Sequence, residues 1–199
     1  MKYKLAALCL LASSGALAED KKFIGGFNYS KSIVAEAKVT FEELDDEFTE
    51  DIDMSTLGLY LGYINENNNR FLLSYSSLTI DFDESNESEN VTGLDFDWQF
   101  VYGEDQVQPY WGIGFGLHTI DDAIILTGTN LEGDSLNGLS FQMMAGVKVE
   151  VNEQVELDVS VQRKAYAWQS IDIEDDFFEE TVNMTYAQTA LSFGAGFKF

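Results

Sequence analysis

The 199 residues include 35 acidic and 11 basic side chains, which gives a formal net charge of −24. So acidic a surface repels the phosphates of nucleic acids, and we expect no nucleic-acid partner. A single proline together with 14% aromatic residues argues against a disordered acidic chain.

The first twenty residues have the layout of a secretory signal peptide. Lys2 and Lys4 precede an apolar run, and small residues before and at Ala18 form a cleavage site. The apolar run is too short to cross a bilayer as a helix. We therefore predict a signal peptide over residues 1–18 and one mature domain over residues 19–199.

Alternating apolar and polar side chains recur along the mature part in segments of about ten residues, and this pattern predicts β-strands. Between 91 and 102, for example, Leu94, Phe96 and Trp98 share one face while Asp95 and Asp97 share the other. In chain order, the eight predicted strands cover residues 23–42, 54–64, 70–82, 91–102, 110–120, 139–151, 155–171 and 191–199.

The connectors between these strands alternate in length. Those after strands two, four and six are short, and those after strands one, three, five and seven are long and acidic, covering residues 43–53, 83–90, 121–135 and 172–180. Short turns at one end and long loops at the other are typical of outer-membrane barrels, whose long loops are extracellular. We therefore predict an all-β, eight-stranded antiparallel up-and-down transmembrane β-barrel, monomeric, in the bacterial outer membrane, with both termini periplasmic.

A soluble β-sandwich or a lipocalin-like barrel would show the same alternation with its apolar face inward. Two features favour the membrane barrel. The polar faces carry many glycines, which suit a narrow interior, and aromatic side chains such as Tyr63, Tyr102 and Trp111 lie near strand ends, as interfacial girdles do. Outer-membrane lipid and lipopolysaccharide are then the expected surroundings.

The final residues SFGAGFKF resemble the C-terminal signal that outer-membrane barrels present to the barrel-assembly machinery. The matching positions are Ser192, Gly194, Phe197 and Phe199. The segment PYWGIGFGL, from Pro109, resembles a strand of the small OmpA-type, porin-like barrel family. This resemblance implies the barrel fold and assembly by that machinery. The family is functionally mixed, so it implies no activity.

Strand parity points a set of charged side chains into the barrel: Asp95, Asp97, Lys148, Glu150, Glu156, Asp158 and Lys198. In a narrow barrel such residues pair with each other and fill the interior, because buried charges are costly unless paired. The alternative is a pore, with a groove beside the inward row of Gly112, Gly114 and Gly116.

His118 is the only histidine and also points inward by parity. Barrels that deacylate lipid A carry a His-x-Ser arrangement that faces the lipid. Here Thr119 and Ile120 follow the histidine, so no serine stands two residues after it. We therefore expect His118 to bond a neighbouring carboxylate, and we predict no enzyme, no cofactor and no catalytic or metal-binding residue. Lipid A modification, with His118 as the base, stays the weaker alternative.

Two basic residues near the predicted outer rim could contact lipopolysaccharide. Arg163 shares parity with outward-facing Val161, and Lys164 follows it; the alternative for Arg163 is a β-bulge that turns it inward. A similar slip is expected in strand three, between Tyr75 and Leu78. The acidic loops could bridge through Ca²⁺ or Mg²⁺, or they could form a solvated, repulsive surface.

These observations predict a non-enzymatic envelope or surface protein with acidic extracellular loops. The alternative is a narrow channel for small solutes.

Overall fold

The computed structural model describes the chain over residues 23–44, 46–82, 88–120, 135–175 and 178–199. This part forms the strands β1 (Phe23–Phe41), β2 (Asp46–Ile64), β3 (Arg70–Phe82), β4 (Ser88–Val101), β5 (Val107–Ile120), β6 (Leu136–Glu150), β7 (Val155–Trp168), β8 (Ile171–Asp175) and β9 (Phe178–Lys198). The predicted signal peptide lies outside the described residues.

Eight of these strands close into one antiparallel ring in chain order. β9 pairs with β7 on one side and with β1 on the other, and the short β8 forms a hairpin with the first residues of β9. Phe23 and Phe199 finish the seam by exchanging backbone hydrogen bonds of 3.1 and 2.9 Å. The predicted eight-stranded antiparallel barrel is confirmed.

The three predicted short turns are confirmed and share one end of the barrel, which we call the turn end. They connect β2 to β3, β4 to β5 and β6 to β7. Asn68 and Gly103 take positive φ angles of 61° and 84° in the first two of these turns, a conformation that asparagine and glycine adopt at low cost. The opposite end is called the loop end.

At the loop end, two predicted long loops are largely strand. Residues 46–51 pair with residues 36–41 of β1, and residues 171–175 pair with the start of β9. β4 also begins earlier than predicted, at Ser88. The loop boundaries were wrong because these segments lack the alternation of a membrane strand. The predicted loop at 121–135 lies outside the described residues apart from its last position.

Near the turn end, the barrel has an apolar exterior and a polar interior. On β4, Leu94, Phe96 and Trp98 are exposed, whereas Asp95 and Asp97 are buried. The predicted direction of the faces is confirmed, and a soluble barrel with the opposite arrangement is excluded for this half. The described residues contain no helix long and apolar enough to span a membrane.

Towards the loop end, both faces reverse their polarity. On β3, Tyr75 points outward and Ser76 inward, but from Leu78 the apolar side chains point inward and Thr79 and Asp81 point outward. β3 pairs with β2 and β4 in continuous register through this point. The slip predicted in strand three is therefore wrong. The pairing does not shift; instead, the outward face changes from apolar to polar and the inward face changes from polar to apolar.

On three neighbouring strands, β4, β5 and β6, the reversal follows the register. Leu94, Leu117 and Leu139 stand side by side at the edge of the apolar exterior. The next outward row, which we call the boundary row, carries Thr92, Thr119 and Asn137 on these strands. The strands therefore continue beyond the apolar band as a barrel that is polar outside and apolar inside, which is the pattern of a soluble barrel.

Apolar side chains from all eight barrel strands fill this extension and form what we call the apolar plug: Ala35, Ala37, Val39, Ile52, Met54, Leu78, Ile80, Phe82, Val91, Ile120, Leu136, Tyr166, Trp168, Val182, Met184 and Tyr186.

A β-bulge interrupts β1 where it leaves the apolar band. The pairing with β9 shifts between Ser32 and Val34, and both Ile33 and Val34 are exposed. In contrast, β7 pairs with β6 and β9 in continuous register. The bulge considered as an alternative at Arg163 is therefore wrong, because β7 is continuous there and the bulge lies on β1.

Aromatic rings gather on the exterior of the turn end. Phe100 stacks on Trp111 with ring centroids 4.4 Å apart, and the indole nitrogen of Trp111 donates a 2.8 Å hydrogen bond to the hydroxyl of Tyr102. Phe23 contacts the rings of Tyr63 and Phe199. Such a girdle is typical of residues at a membrane–water interface.

Candidate functional site

His118 lies inside the barrel on β5, just below the apolar plug. Its Nε2 atom is 2.9 Å from the hydroxyl oxygen of Ser140 and 3.2 Å from a carboxylate oxygen of Asp95. The imidazole also packs edge-on against Tyr166, with ring centroids 5.0 Å apart. The predicted bond between His118 and a neighbouring carboxylate is confirmed.

Asp95 is the centre of this cluster. Lys164 reaches from β7 to within 2.7 Å of one carboxylate oxygen, and Ser76 donates a 2.9 Å hydrogen bond to the other. Lys164 also lies 5.1 Å from the ring centroid of Tyr166. A buried carboxylate with this many partners is satisfied, which makes the cluster a structural tie between β3, β4, β5 and β7.

A histidine, a serine and an aspartate within hydrogen-bond distance suggest a hydrolytic triad, but this geometry differs from one. In a triad the acid orients one imidazole nitrogen while the serine bonds the other. Here Asp95 and Ser140 both face Nε2. His118 is also only 3% exposed, below a plug that separates it from the loop end.

A second polar cluster crosses the barrel nearer the turn end. Arg70 on β3 bonds Glu156 on β7, across the ring, at 2.6 Å, and neither side chain meets solvent. Lys148 lies 2.9 Å from Asp158 and 3.7 Å from Glu156, and Lys198 lies 3.3 Å from Glu156. Lys198 also bonds Glu150. The predicted pairing of the interior charges is confirmed except at Asp97, whose carboxylate accepts a hydrogen bond from Gln142.

Two interior cations were missed by the sequence analysis. Arg70 opens β3 on the same face as Leu72, and Lys164 lies opposite outward-facing Arg163. Strand alternation would have pointed both side chains inward. Arg70 borders a turn, however, and Lys164 was predicted together with Arg163 to lie at the rim. With them, the seven predicted interior charges gain two cations, so most carboxylates have a basic partner within the barrel.

Glycines make room for this packing. A side chain at Gly116 would meet the Nε2 atom of His118 and the hydroxyl of Ser140 at 2.5 Å, and one at Gly112 would meet Met144. The inward glycine row of β5 is thus covered by side chains from its neighbours. The groove considered beside this row is absent from the described structure.

Between the two polar clusters lies a small polar cavity of about 50 Å³, lined by residues including Asp97, Gln99 and Gln188. The amide oxygens of Gln99 and Gln188 find no hydrogen-bond partner within the described residues. Space of this size holds a few water molecules, which would satisfy those atoms.

The two predicted rim residues lie on opposite sides of the barrel wall. Arg163 is on the exterior, where it donates a 3.1 Å hydrogen bond to Thr189 and lies 3.7 Å from Glu36. Lys164 is buried against Asp95. This position removes Lys164 from the predicted lipopolysaccharide contact because its ammonium points inward. The contact by Arg163 stays a prediction.

The residues of the predicted assembly signal occupy the end of β9. Ser192 is buried, Gly194 lies beside Asn28 and Asp158, and Phe197 is exposed on the apolar exterior. Their recognition by assembly machinery stays a prediction. Within the described residues, no group of three or more acidic, histidine or cysteine side chains is placed to hold a metal ion. Two of the four acidic segments considered for Ca²⁺ or Mg²⁺, 83–90 and 121–135, lie largely outside that part.

A closed ring of eight strands, with an apolar exterior band over a polar, ion-paired interior, defines a bacterial outer-membrane β-barrel. Residues 5–199 match the family described as the outer membrane protein beta-barrel domain, and the chain belongs to this family. No curated protein sequence matches it.

Solved structures resemble this barrel over most of their length. Neisserial surface protein A is 15% identical, with a TM-score of 0.51 over 89% of this chain and 97% of its own. The outer membrane enzyme PagL is 11% identical, with a TM-score of 0.53 over 81% of this chain and 97% of its own. At such identities the likeness shows the fold alone.

Proposed function

We propose that this protein is a non-conducting, non-enzymatic envelope barrel that raises an acidic β-extension above the outer membrane. The observation that carries the proposal is the apolar plug, to which all eight barrel strands contribute. Ions cross a membrane through hydrated paths, and a core that is apolar apart from the buried carboxylate of Glu89 leaves little room for water.

Below the plug, further side chains fill the barrel interior and support this proposal. Arg70 and Glu156 span the interior at the turn end, and Tyr60 packs there with Ile24, Ile64 and Leu72. The polar cavity between these levels is small, at about 50 Å³. The interior therefore resembles a folded core more than a channel, and the narrow-channel alternative has no continuous lumen to use.

The exterior of the extension supports a surface role. Its outward side chains include Glu36, Glu47, Asp53 and Asp81, and the lysines among them are engaged in ion pairs, such as Lys31 with Asp53 at 3.0 Å. Because short turns of outer-membrane barrels are periplasmic, we place the loop end outside the cell and both termini in the periplasm. The acidic extension would then meet ions, polysaccharide or other cells first.

The non-enzymatic part of the proposal rests on His118. Its buried position and the approach of both Asp95 and Ser140 to Nε2 argue against an activated serine at this pair. Divalent cations between the acidic loops are compatible with this role but are not needed by it.

Single-channel recording tests the proposal directly. The refolded protein should insert into planar bilayers without unitary current steps, because the plug excludes water and ions. Heat-modifiable migration on a gel would show that each preparation is folded before recording. Reproducible current steps from folded preparations would instead establish the narrow channel. As a second readout, lipid A from cells that express the protein should keep its mass, and a mass change lost in His118→Ala would contradict the non-enzymatic role.

A further inference from the structure

Below the apolar plug, the carboxylates of the barrel interior outnumber the lysine and arginine side chains by one. Among the described residues, each of these cations bonds a different carboxylate: Lys164 with Asp95, Arg70 with Glu156, Lys148 with Asp158 and Lys198 with Glu150. The carboxylate left over is Asp97. While His118 is neutral, this part of the interior therefore carries one uncompensated negative charge.

The surroundings of Asp97 are polar but neutral. Its side chain is buried, and its carboxylate accepts a hydrogen bond from the amide nitrogen of Gln142. It forms no ion pair within the part of the chain that the structure describes. A buried charge is costly unless an opposite charge compensates it, and one neutral donor does not supply that charge. The site lacks a positive partner.

The polar cavity of about 50 Å³ borders Asp97 and offers space for such a partner. Gln99 lines the same cavity from the next inward position of β4 and is only 6% exposed. Its amide nitrogen lies 3.5 Å from the sulfur of Met144, whereas its amide oxygen has no partner among the described residues. The amide oxygen of Gln188, also in the cavity wall, is likewise unpartnered there. Both of these atoms are acceptors, so the wall lacks a positive or donating group.

We propose that this cavity binds one alkali cation, Na⁺ or K⁺, between the Asp97 carboxylate and the Gln99 amide oxygen, with water as the remaining ligands. Inward positions two residues apart on a strand are about 7 Å apart, a span that an ion and two long side chains can bridge. Carboxylate and amide oxygens are hard ligands that suit such ions. The uncompensated charge is one, which a monovalent cation balances and a divalent cation exceeds. Water alone would satisfy the amide oxygens but would leave Asp97 uncompensated.

Refolding the protein into lipid vesicles in NaCl, KCl or choline chloride at equal ionic strength would test the site. Choline is too large for the cavity and is the reference cation. The equilibrium constant of urea unfolding, followed by heat-modifiable migration, should be about tenfold lower in NaCl or KCl than in choline chloride, once the cation exceeds its dissociation constant about tenfold. The salt that lowers this constant more identifies the preferred ion.

Three variants locate the effect. Asp97→Asn keeps the shape of the side chain but removes its charge, so the difference between the salts should disappear. Gln99→Met removes the amide oxygen and should reduce the difference several-fold. Asp53→Asn removes an exterior carboxylate, the partner of Lys31, and should keep the full difference as the matched control.

Two results would overturn the proposal. Equal unfolding constants of the wild type in all three salts would leave a proton as the species that neutralises Asp97. A difference between the salts that persists in folded Asp97→Asn would show that the cation acts elsewhere, for example on the acidic loops.

Discussion

Arg70 and Glu156 show how single residues hold this barrel closed from inside. Their ion pair joins β3 to β7 across the ring, and both side chains are removed from solvent. Removing two charges from water is costly, and the cost is offset only while each charge keeps its partner. Glu156 also faces Lys148 and Lys198, so it is the shared anion of three cations.

Replacing this anion should show how much free energy is lost when Arg70 is buried without its carboxylate partner. Glu156→Gln is expected to lower the free energy of unfolding by about 3–5 kcal/mol, because it leaves Arg70 charged and buried without its carboxylate. Urea unfolding in lipid vesicles, followed by heat-modifiable migration, would measure the change. Glu66→Gln, in an exposed turn, is the matched control. Equal stability of the two variants would show that the interior charges are solvated.

Parity along each strand predicted which residues of this interior point inward, His118 and Asp95 among them. It could not predict that Asp95 would meet Lys164, or that Arg70 would meet Glu156. Such contacts across the ring depend on strand tilt and on the stagger of the closed sheet, which no single segment records. The misplacement of Lys164 arose from treating it as one unit with Arg163, although adjacent strand residues face opposite sides.

At the scale of an element, β3 is one uninterrupted strand adapted to two environments. Leu73 and Tyr75 face outward below the boundary row, and Ile80 and Phe82 face inward above it. Sequence analysis detected the change but interpreted it as a slip, since alternation alone does not reveal which face meets which solvent. The acidic, paired segment at 46–51 looked like a loop for another reason, because it lacks the alternation of a membrane strand.

The reversal predicts opposite outcomes for neighbouring substitutions on β3. Ile80→Asn should destabilise the fold by about 2–4 kcal/mol, because Ile80 is fully buried in the apolar plug and its replacement removes this packing and buries a polar amide. Asp81→Asn, on the exposed face, should be nearly neutral. Chemical unfolding of both variants would measure this. A tolerated Ile80→Asn would mean that water enters the extension.

For the whole molecule, closure depends on the seam between the two ends of the chain. Phe199 pairs with Phe23 through two backbone hydrogen bonds, and their rings stack with centroids 6.3 Å apart. The barrel class, strand count and direction of the faces followed from the sequence, because each is repeated in every strand. The height of the extension did not, because it is encoded by short segments without a membrane pattern.

The predicted role of Phe199 as an assembly signal can be tested separately from its place in the seam. Phe199→Ala is expected to reduce the amount of folded barrel in the outer membrane several-fold while changing the stability of refolded protein by about 1 kcal/mol or less, because the backbone bonds do not need the ring. Fractionation of cells and unfolding of refolded protein would measure the two quantities. Phe23→Ala removes the stacking partner on the other strand and is the control. Normal levels of Phe199→Ala in the membrane would contradict a signalling role.

The reversal of polarity at the boundary row also fixes how deep the barrel sits. If the barrel moved along its axis towards the loop end, Leu94, Leu117 and Leu139 would enter water. The free-energy cost would be about 1–3 kcal/mol for each side chain. A movement inward would draw ion pairs such as Lys31 with Asp53 into hydrocarbon. Both displacements meet a restoring force around the whole circumference, so the extension is held at a constant height above the bilayer.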